Sequence, residues 1–198
     1  GAYGGIGKSI VQRLTQEGYR VCHLIRDLGN ASNIVQDDSS LVVECDLSLI
    51  DDRKQAWSKI REWTKQIDLL VNAAGVAFGA PAMMTSDSDL KRVFEVNYVA
   101  AVDLSQRVGR VMMRQQCGSI INILSVQALL AEPGNLAYGG SKAALAHATR
   151  VMASEWGKFG IRVNAVAPTV VSTKMMCLME ETARDRLVSA SALGSILD

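Results

Sequence analysis

The chain has 198 residues, of which 48% are hydrophobic and 21% are charged, and its formal net charge is +1. This length and composition are ordinary for one globular domain with a sizeable core. The near-zero charge gives no electrostatic reason to expect a nucleic-acid or anionic-membrane partner, and no apolar run approaches the roughly 18–20 residues of a membrane span.

Strand-like and helix-like patterns alternate along the chain. In the first half they predict a glycine-rich loop entering a helix over residues 1–17, strands over 20–25 and 41–45, a helix over 51–66 and a strand over 67–74. In the second half they predict a long helix over 86–114, a strand over 119–125, a helix over 136–158 and a strand over 161–167. This alternation favours one α/β domain with a parallel sheet covered on both faces, whose ligand lies at the carboxyl ends of the strands.

Both ends of this pattern predict missing strands. The glycine-rich loop begins at Gly1, whereas a phosphate-binding turn is normally held between a strand and its helix. Residues 192–198 follow no closing strand. We therefore expect a Rossmann-like, doubly wound parallel sheet, a single domain over residues 1–198 that lacks its first and last strands.

The cysteines and histidines show no ligand spacing. Cys22, Cys45, Cys117 and Cys177 form no C-x-x-C pair, so we expect reduced, structural thiols and a cytosolic or matrix-like compartment. His23 and His147 stand alone in a predicted strand and a predicted helix, so we expect no metal site.

Three residues around the strand over 119–125 suggest proton transfer. Ser125 ends this strand, Tyr138 follows thirteen residues later, and Lys142 lies one helical turn beyond Tyr138. An ammonium beside a phenol favours the phenolate, so we expect Lys142 to lower the Tyr138 pKa from its usual value of about 10. Such a group can exchange a proton with a carbinol oxygen. The spacing alone also fits an ordinary pair on a helix surface.

The glycine-rich loop at the start of the chain is typical of a pyrophosphate site. Its glycines allow close approach of the backbone, and the following helix offers free N–H groups. At the end of the second predicted strand, Ile25 stands where an NAD-preferring fold has an acid, and Arg26 follows. A guanidinium suits a 2′-phosphate, which favours NADP(H). Two alternatives remain, because Arg26 could be a solvated charge and Asp27 could be the acid.

These motifs together resemble the short-chain dehydrogenase/reductase family over essentially the whole chain. The resembling positions occur in the family order: Gly1, Gly5 and Gly7 without the leading Thr, then Asp46, Asn-Ala-Ala-Gly at 72–75, Asn97, the trio of Ser125, Tyr138 and Lys142, and Asn-Ala-Val-Ala-Pro at 164–168. Thr169 departs from the glycine usual after that proline, and Gly139 and Gly140 lie between Tyr138 and Lys142.

The resemblance implies a role for each of these residues. Ser125, Tyr138, Lys142 and Asn97 would be catalytic, with Asn97 holding a water that links Lys142 to solvent. The implied cofactor-binding residues are Gly1, Gly5, Ile6, Gly7, Arg26, Asp46, Leu47, Asn72, Ala73, Ala74, Gly75, Tyr138, Lys142, Pro168, Val171 and Thr173. Residues 174–193 would form a lid over the substrate or, equally well, an ordinary amphipathic surface helix.

Within the family, stretches 69–75, 118–125 and 160–168 look most like 3-oxoacyl-[acyl-carrier-protein] reductases and their carbonyl-reductase relatives. The resemblance implies NADPH-dependent reduction of a carbonyl to a secondary alcohol in fatty acid synthesis. The alternatives are a carbonyl, quinone or alcohol dehydrogenase of another substrate class, and a non-catalytic cofactor-binding subunit.

The resemblance also implies a homo-oligomer, most simply a tetramer formed through the two long helices. Their apolar residues exceed what one sheet face needs, unless all of them face the sheet: Val99, Val102, Val108 and Met112 on one helix, Leu145, Ala148, Met152 and Trp156 on the other. We expect a small-molecule or carrier-linked substrate, no nucleic-acid or membrane partner, and a cytoplasmic location, or the mitochondrial matrix if a targeting segment precedes the sequence.

Overall fold

Strands and helices alternate as the sequence predicts. The computed structural model describes residues 1–27, 29, 38–173, 176, 184, 185, 188, 189 and 196. The first half holds helix α1 (Gly5–Gln16), strands β1 (Val21–Ile25) and β2 (Ser40–Glu44), helix α2 (Ile50–Trp63) and strand β3 (Leu69–Asn72). The second half holds helix α3 (Asp87–Phe94), a π-helical segment (Glu95–Val99), helix α4 (Ala100–Gln115), strand β4 (Gly118–Ile123), helix α5 (Leu136–Trp156) and strand β5 (Ile161–Val166).

The long helix predicted over 86–114 is one helical rod with an internal irregularity. It begins where the Ser86 side chain accepts a hydrogen bond from the backbone N–H of Asp89, and it ends where Gln116 adopts a left-handed conformation with φ of 56°. Between α3 and α4, residues Glu95–Val99 wind as a π-helix. Such wide turns often occur at functional sites, and this one carries the buried Asn97.

All strand pairings are parallel, which confirms the predicted α/β class. The single sheet expected from the sequence is nevertheless divided in the described residues: β1 pairs with β2, and β3, β4 and β5 form a second sheet in that order. A cavity of about 490 Å³ lies between the two sheets, lined by β1, β3 and apolar side chains of α1 and α2 such as Ile10, Trp57 and Ile60. In the described residues, no strand pairing joins β1 to β3, and both strands line this cavity.

Helices α4 and α5 bury one face of the three-stranded sheet. Val108, Met112, Met152 and Trp156 pack there against Ile120, Ile161 and Val163. The helices approach closely because Gly109 has no side chain, and a Cβ there would lie 3.0 Å from the Trp156 ring. On the opposite face Val166 is 53% exposed, so the expected cover on both faces is incomplete in the part of the chain that the structure describes.

Candidate active site

The three residues singled out in the sequence come together at the carboxyl end of β4. Ser125 lies two residues beyond β4, and Tyr138 and Lys142 lie in the first two turns of α5. The Ser125 side chain lies close enough to the Tyr138 hydroxyl to affect the pKa of Tyr138. The Lys142 ammonium is buried and donates to the Ile123 carbonyl at 2.8 Å. A hydroxyl pair thus lies beside a buried cation at the edge of the sheet where ligands of such folds bind.

The electrostatics of this trio differ from the expectation that Lys142 lowers the Tyr138 pKa. Burial raises the pKa of Tyr138 above its ordinary value, and the hydrogen bond from Ser125 offsets only part of that rise. Burial also lowers the pKa of Lys142 to about 8. The Lys142 ammonium is directed to a backbone carbonyl, and desolvation of the phenolate outweighs any attraction between the two groups. The predicted lowering of the Tyr138 pKa is therefore wrong.

The Asn97 side chain joins the loop after β3 to helix α5 by hydrogen bonds. Its side-chain oxygen accepts from the Val76 N–H at 2.8 Å, and its Nδ2 donates to the Val76 carbonyl at 3.0 Å and to the Ser141 hydroxyl at 3.1 Å. The Ser141 hydroxyl in turn donates to the Tyr138 carbonyl at 2.7 Å. Asn97 is therefore linked through Ser141 to the backbone of Tyr138. The water that the resemblance assigns to Asn97 stays a prediction.

The glycine-rich loop is built for close backbone contacts. A Cβ on Gly1 would lie 2.5 Å from the Ala74 backbone nitrogen, and a Cβ on Gly7 would lie 2.0 Å from the Gly1 carbonyl oxygen. Gly5, Ile6 and Gly7 open helix α1, and the preceding Gly4 provides no side-chain cap for its first N–H groups. Uncapped N–H groups at a helix start suit a pyrophosphate.

Other segments that were predicted to bind the cofactor meet this loop. A Cβ on Gly1 would lie against the backbone of Ala73 and Ala74. A Cβ on Gly5 would lie 2.5 Å from the Cγ2 atom of Thr173. A Cβ on Gly75 would lie 3.5 Å from the Lys142 Nζ, so Gly75 is next to Lys142. The structure therefore gathers four separate stretches of sequence around one groove.

Asp46 lies in the turn that follows β2. Its Oδ1 accepts from the Ser48 hydroxyl at 2.7 Å and from the Ser48 N–H at 2.8 Å. These hydrogen bonds, with a smaller contribution from the charge of Arg26, lower the Asp46 pKa. An ionised carboxylate here can accept a hydrogen bond from an adenine amino group. The neighbouring Leu47 carbonyl accepts from Arg53.

Arg26 and Asp27 follow β1 and are both exposed. The charge of Arg26 is close enough to Asp46 to lower the pKa of that carboxyl group. Asp27 accepts a hydrogen bond from the Gly29 N–H at 2.8 Å, which uses one of its oxygens in a local turn. This hydrogen bond favours Arg26 over Asp27 as the residue that would contact the adenosine ribose of a cofactor.

The Asn72 side chain belongs to a buried polar network. Its side chain is buried and donates to Asn122 at 2.8 Å and to Ser105 at 3.0 Å, and Asn122 donates to Thr149 at 2.8 Å. This polar network ties β3, β4, α4 and α5 together behind the site. The Asn72 side chain is thus structural, and only its backbone is left to line the cofactor groove.

The segment after β5 reaches the catalytic end. The Pro168 carbonyl accepts from the Val126 N–H at 2.9 Å, which fixes Pro168 beside Ser125. Val171 is partly buried, and its contact with the cofactor stays a prediction. The predicted lid over 174–193 lies almost wholly outside the described residues.

The residues present fit a nicotinamide dinucleotide. The loop offers a Cβ-free cradle for the pyrophosphate, Asp46 offers an acceptor for the adenine, and Lys142 offers a donor for the nicotinamide ribose. Among the described residues, no cluster of side chains could hold a metal ion, and no helix has the length and apolarity needed to cross a membrane.

Comparison with known proteins agrees with this geometry. The family model for short chain dehydrogenases matches residues 1–184. The chain belongs to the short-chain dehydrogenase family. It is 31% identical to carbonyl reductase family member 4 of Xenopus tropicalis over 96% of this chain and 81% of that protein, and 32% identical to the 3-oxoacyl-[acyl-carrier-protein] reductase of Thermotoga maritima over 98% and 81%.

Solved structures of other short-chain dehydrogenases superpose closely. A 4-hydroxyisoleucine dehydrogenase complexed with NADH gives a TM-score of 0.89 at 32% identity, covering 100% of this chain and 83% of that one. A gluconate 5-dehydrogenase of Burkholderia cenocepacia in complex with NADP and tartrate gives 0.85 at 26% identity, covering 95% and 76%. This short-chain dehydrogenase is therefore an oxidoreductase whose structural relatives bind either nicotinamide cofactor.

Sequence reasoning missed the residues that hold the site in place. Ser141 lies between Tyr138 and Lys142, and its position one turn after Tyr138 was the available signal, because a serine there can return a hydrogen bond to the helix backbone. The Ile123 carbonyl, which accepts from Lys142, and the buried Arg53 carried no such signal, because each depends on contacts between distant segments.

Proposed function

We propose that this short-chain dehydrogenase uses NADPH to reduce a carbonyl to a secondary alcohol, with a 3-oxoacyl group as the favoured substrate. The observation that carries the proposal is that Ser125, close enough to Tyr138 to affect its pKa, lies with Tyr138 and the buried Lys142 at the carboxyl end of β4. The similarity to 3-oxoacyl-[acyl-carrier-protein] and carbonyl reductases supports this substrate class.

Each residue of the trio has a task that follows from its surroundings. When bound, the nicotinamide supplies the hydride that reduces the carbonyl carbon. Tyr138 donates its proton to the carbonyl oxygen, and its raised pKa keeps it in the protonated form that this step needs. The Ser125 hydroxyl donates to the same oxygen and stabilises the negative charge that develops there. Lys142 holds the nicotinamide ribose by its ammonium.

Replacing Tyr138 by Phe tests the proton donor. We expect kcat/KM for ketone reduction to fall about 10²–10⁴-fold, because the variant lacks only the phenolic hydroxyl. Cofactor affinity, followed by NADPH fluorescence, should change little. Tyr19→Phe removes a hydroxyl from an exposed tyrosine far from the trio and is the matched control. Unchanged turnover in Tyr138→Phe would exclude Tyr138 as the acid, and binding without turnover in the parent would favour a non-catalytic subunit.

Arg26 supports NADPH as the preferred cofactor. Its guanidinium lies exposed beyond β1 and close enough to Asp46 to affect the pKa of Asp46, so we expect it to contact the adenosine ribose of a bound cofactor. We expect Arg26→Ala to raise the KM for NADPH by about tenfold through loss of one partly exposed charge-assisted contact, and to leave the KM for NADH unchanged. Arg13→Ala, which removes an exposed arginine from α1, is the control. Equal kcat/KM values for the two cofactors in the parent would contradict the proposal.

We further propose that the enzyme acts in fatty acid synthesis as a homotetramer in the cytoplasm or the mitochondrial matrix, on a substrate linked to acyl carrier protein. This proposal rests on the similarity to the acyl-carrier-protein reductases. The test compares a 3-oxoacyl group linked to acyl carrier protein with its free thioester analogue. Equal kcat/KM values for the two substrates would show that the enzyme does not recognise the carrier protein.

A further inference from the structure

Arg53 is a buried cation in the first turn of α2, and its side chain is only 2% exposed. Within the described part of the chain, its Nε donates to Asp103 at 3.0 Å, and its Nη1 donates to Glu95 at 2.8 Å and to the Leu47 carbonyl. A buried guanidinium is unfavourable unless its N–H groups find such acceptors. The Nη1 group thus joins the turn after β2 directly to the π-helical segment that begins at Glu95.

The turn after β2 is held to α2 by two hydrogen bonds. The Leu47 carbonyl accepts from Arg53, and the Asp46 N–H donates to the Asp52 carboxylate at 3.0 Å. Within the turn, the Asp46 carboxylate accepts from the Ser48 N–H at 2.8 Å. The placement of Asp46, the expected acceptor for the adenine, therefore depends on where α2 holds Arg53.

The π-helical segment is the other side of this connection. Glu95 is its first residue, and Asn97 follows two positions later. Asn97 donates to the Ser141 hydroxyl at 3.1 Å, and that hydroxyl donates to the Tyr138 carbonyl at 2.7 Å. π-Helical turns are rare and often occur at functional sites, and the ion pair with Arg53 fixes the first residue of this one. A continuous set of contacts therefore leads from the turn after β2 to the backbone of Tyr138.

The second carboxylate that Arg53 binds lies beside this connection. Asp103 belongs to α4 and also accepts from Arg107 at 2.8 Å. Its exposed fraction is 22%, and that of Glu95 is 35%, so the two carboxylates are similarly buried. Removing either one takes a charged partner from Arg53, but only the loss of Glu95 frees the π-helical segment. The two residues can therefore separate a positioning role from a contribution to stability.

We propose that Arg53 is a positioning residue, which holds the turn after β2 and the π-helical segment in one arrangement, so that cofactor binding and the placement of Asn97 depend on the same side chain. This role rests on the reductase function proposed above and adds a residue that acts through Asp46 and Asn97. A charge that only stabilised the fold would leave the kinetic constants of the folded enzyme unchanged.

Three variants test the proposal by their kinetic constants. Arg53→Met removes both Nη1 contacts. We expect it to raise the dissociation constant of NADPH, measured by fluorescence, about fivefold, and to lower kcat by about ten- to a hundredfold. Glu95→Ala should lower kcat and leave the dissociation constant unchanged, because the Leu47 contact remains. Asp103→Ala is the matched control, which should lower stability in urea as Glu95→Ala does and change neither constant.

Amide hydrogen exchange of the cofactor-free protein gives a measurement that needs no turnover. The Val76 N–H donates to the Asn97 side-chain oxygen at 2.8 Å, so a displaced Asn97 leaves this amide free to exchange. We expect its exchange rate, followed by NMR, to rise about fivefold in Arg53→Met and in Glu95→Ala. The rate should be unchanged in Asp103→Ala, and the amides of β4 report global opening separately.

Two results would overturn the proposal. The first is an Arg53→Met variant with the kinetic constants and the Val76 exchange rate of the parent. The second is an equal change of kcat and Val76 exchange in Glu95→Ala and Asp103→Ala, which would make the cluster purely structural, and this comparison decides the matter even if Arg53→Met does not fold. NADPH binding without turnover in the parent would reject the reductase function, and the dissociation constants and Val76 exchange would still decide the role of Arg53.

Discussion

Lys142 is an ammonium almost completely removed from water, with the Ile123 carbonyl as its hydrogen-bond acceptor. Burial destabilises the charged form of Lys142 by more than the hydrogen bond to the Ile123 carbonyl stabilises it. The pKa of Lys142 therefore falls from 10.5 to about 8. The same residue is the donor assigned to the nicotinamide ribose. Its protonation state near neutral pH therefore bears on cofactor binding as well as on the neighbouring Tyr138.

Cofactor affinity should fall as the pH rises above about 8. Ribose oxygens and the cofactor phosphates favour the ammonium, so binding raises the Lys142 pKa, and linkage requires affinity to decrease between the free and the bound pKa by up to about tenfold per pH unit. The buried thiols do not interfere, because burial raises the pKa of Cys22 to about 12 and that of Cys45 to about 11.

Fluorescence titration of NADPH between about pH 7 and pH 9.5 measures this effect. Lys142→Met should bind more weakly and with no pH dependence in that range, and circular dichroism at each pH controls for unfolding. An affinity of the parent that stays constant across the range would contradict the prediction.

At the scale of elements, Arg53 joins α2 to the helical rod of α3 and α4. Its buried guanidinium donates to Glu95 at 2.8 Å, to Asp103 at 3.0 Å and to the Leu47 carbonyl. Glu95 begins the π-helical segment that carries Asn97, and Leu47 follows the adenine-side Asp46. One side chain thus fastens both ends of the cofactor groove to each other.

Arg53→Met should destabilise the protein by about 2 kcal/mol. The expected loss is below the 3–5 kcal/mol of a fully buried pair, because Glu95 and Asp103 remain 35% and 22% exposed and can be rehydrated. Urea unfolding measures the change. Lys54→Met, which removes the exposed pair with Asp51 from the next position on α2, should shift stability by less than about 0.5 kcal/mol. Equal losses of unfolding free energy in the two variants would show that the contacts of Arg53 stabilise the protein no more than the exposed Lys54–Asp51 pair does.

At the scale of the whole molecule, most of the apolar residues once assigned to an oligomer interface belong to the protomer core. Val108, Met112, Leu145, Met152 and Trp156 are all buried in the single chain. Val99 is 38% exposed and Val151 is 40% exposed, while Val102 and Ala148 are partly exposed. The homo-oligomer proposed above therefore depends on a smaller surface of α4 and α5 than the sequence suggested.

Val151→Glu should reduce the mass of the assembly if this surface forms the interface. A carboxylate placed in an apolar contact between subunits would be buried without a partner, which costs several kcal/mol per contact. Light scattering at micromolar concentration gives the mass, and Ile50→Glu provides the control at an exposed apolar residue on α2. A monomeric parent would reject the oligomer, and an unchanged assembly in Val151→Glu would place its interface elsewhere.

The sequence by itself determined the order and type of the elements and singled out Ser125, Tyr138 and Lys142, which the structure brings together. Alternating apolar strands and amphipathic helices are local patterns, and the Tyr138 to Lys142 spacing follows from the pitch of one helix. Resemblance to a family added Asp46, Asn97 and the glycines, which the structure gathers around one groove. All of this information is contained within short stretches of chain.

Only the tertiary structure decided how those stretches bear on one another. It turned the Asn72 side chain inward to Asn122, divided the predicted sheet between β1 and β3, and raised the Tyr138 pKa although a lysine lies one turn away. It also inserted a π-helical turn at Asn97 and joined Arg53 to Asp103, fifty residues along the chain. Burial and hydrogen bonding between distant segments explain the positions of Asn72 and Arg53 and the raised pKa of Tyr138, and a local stretch of sequence does not show such contacts.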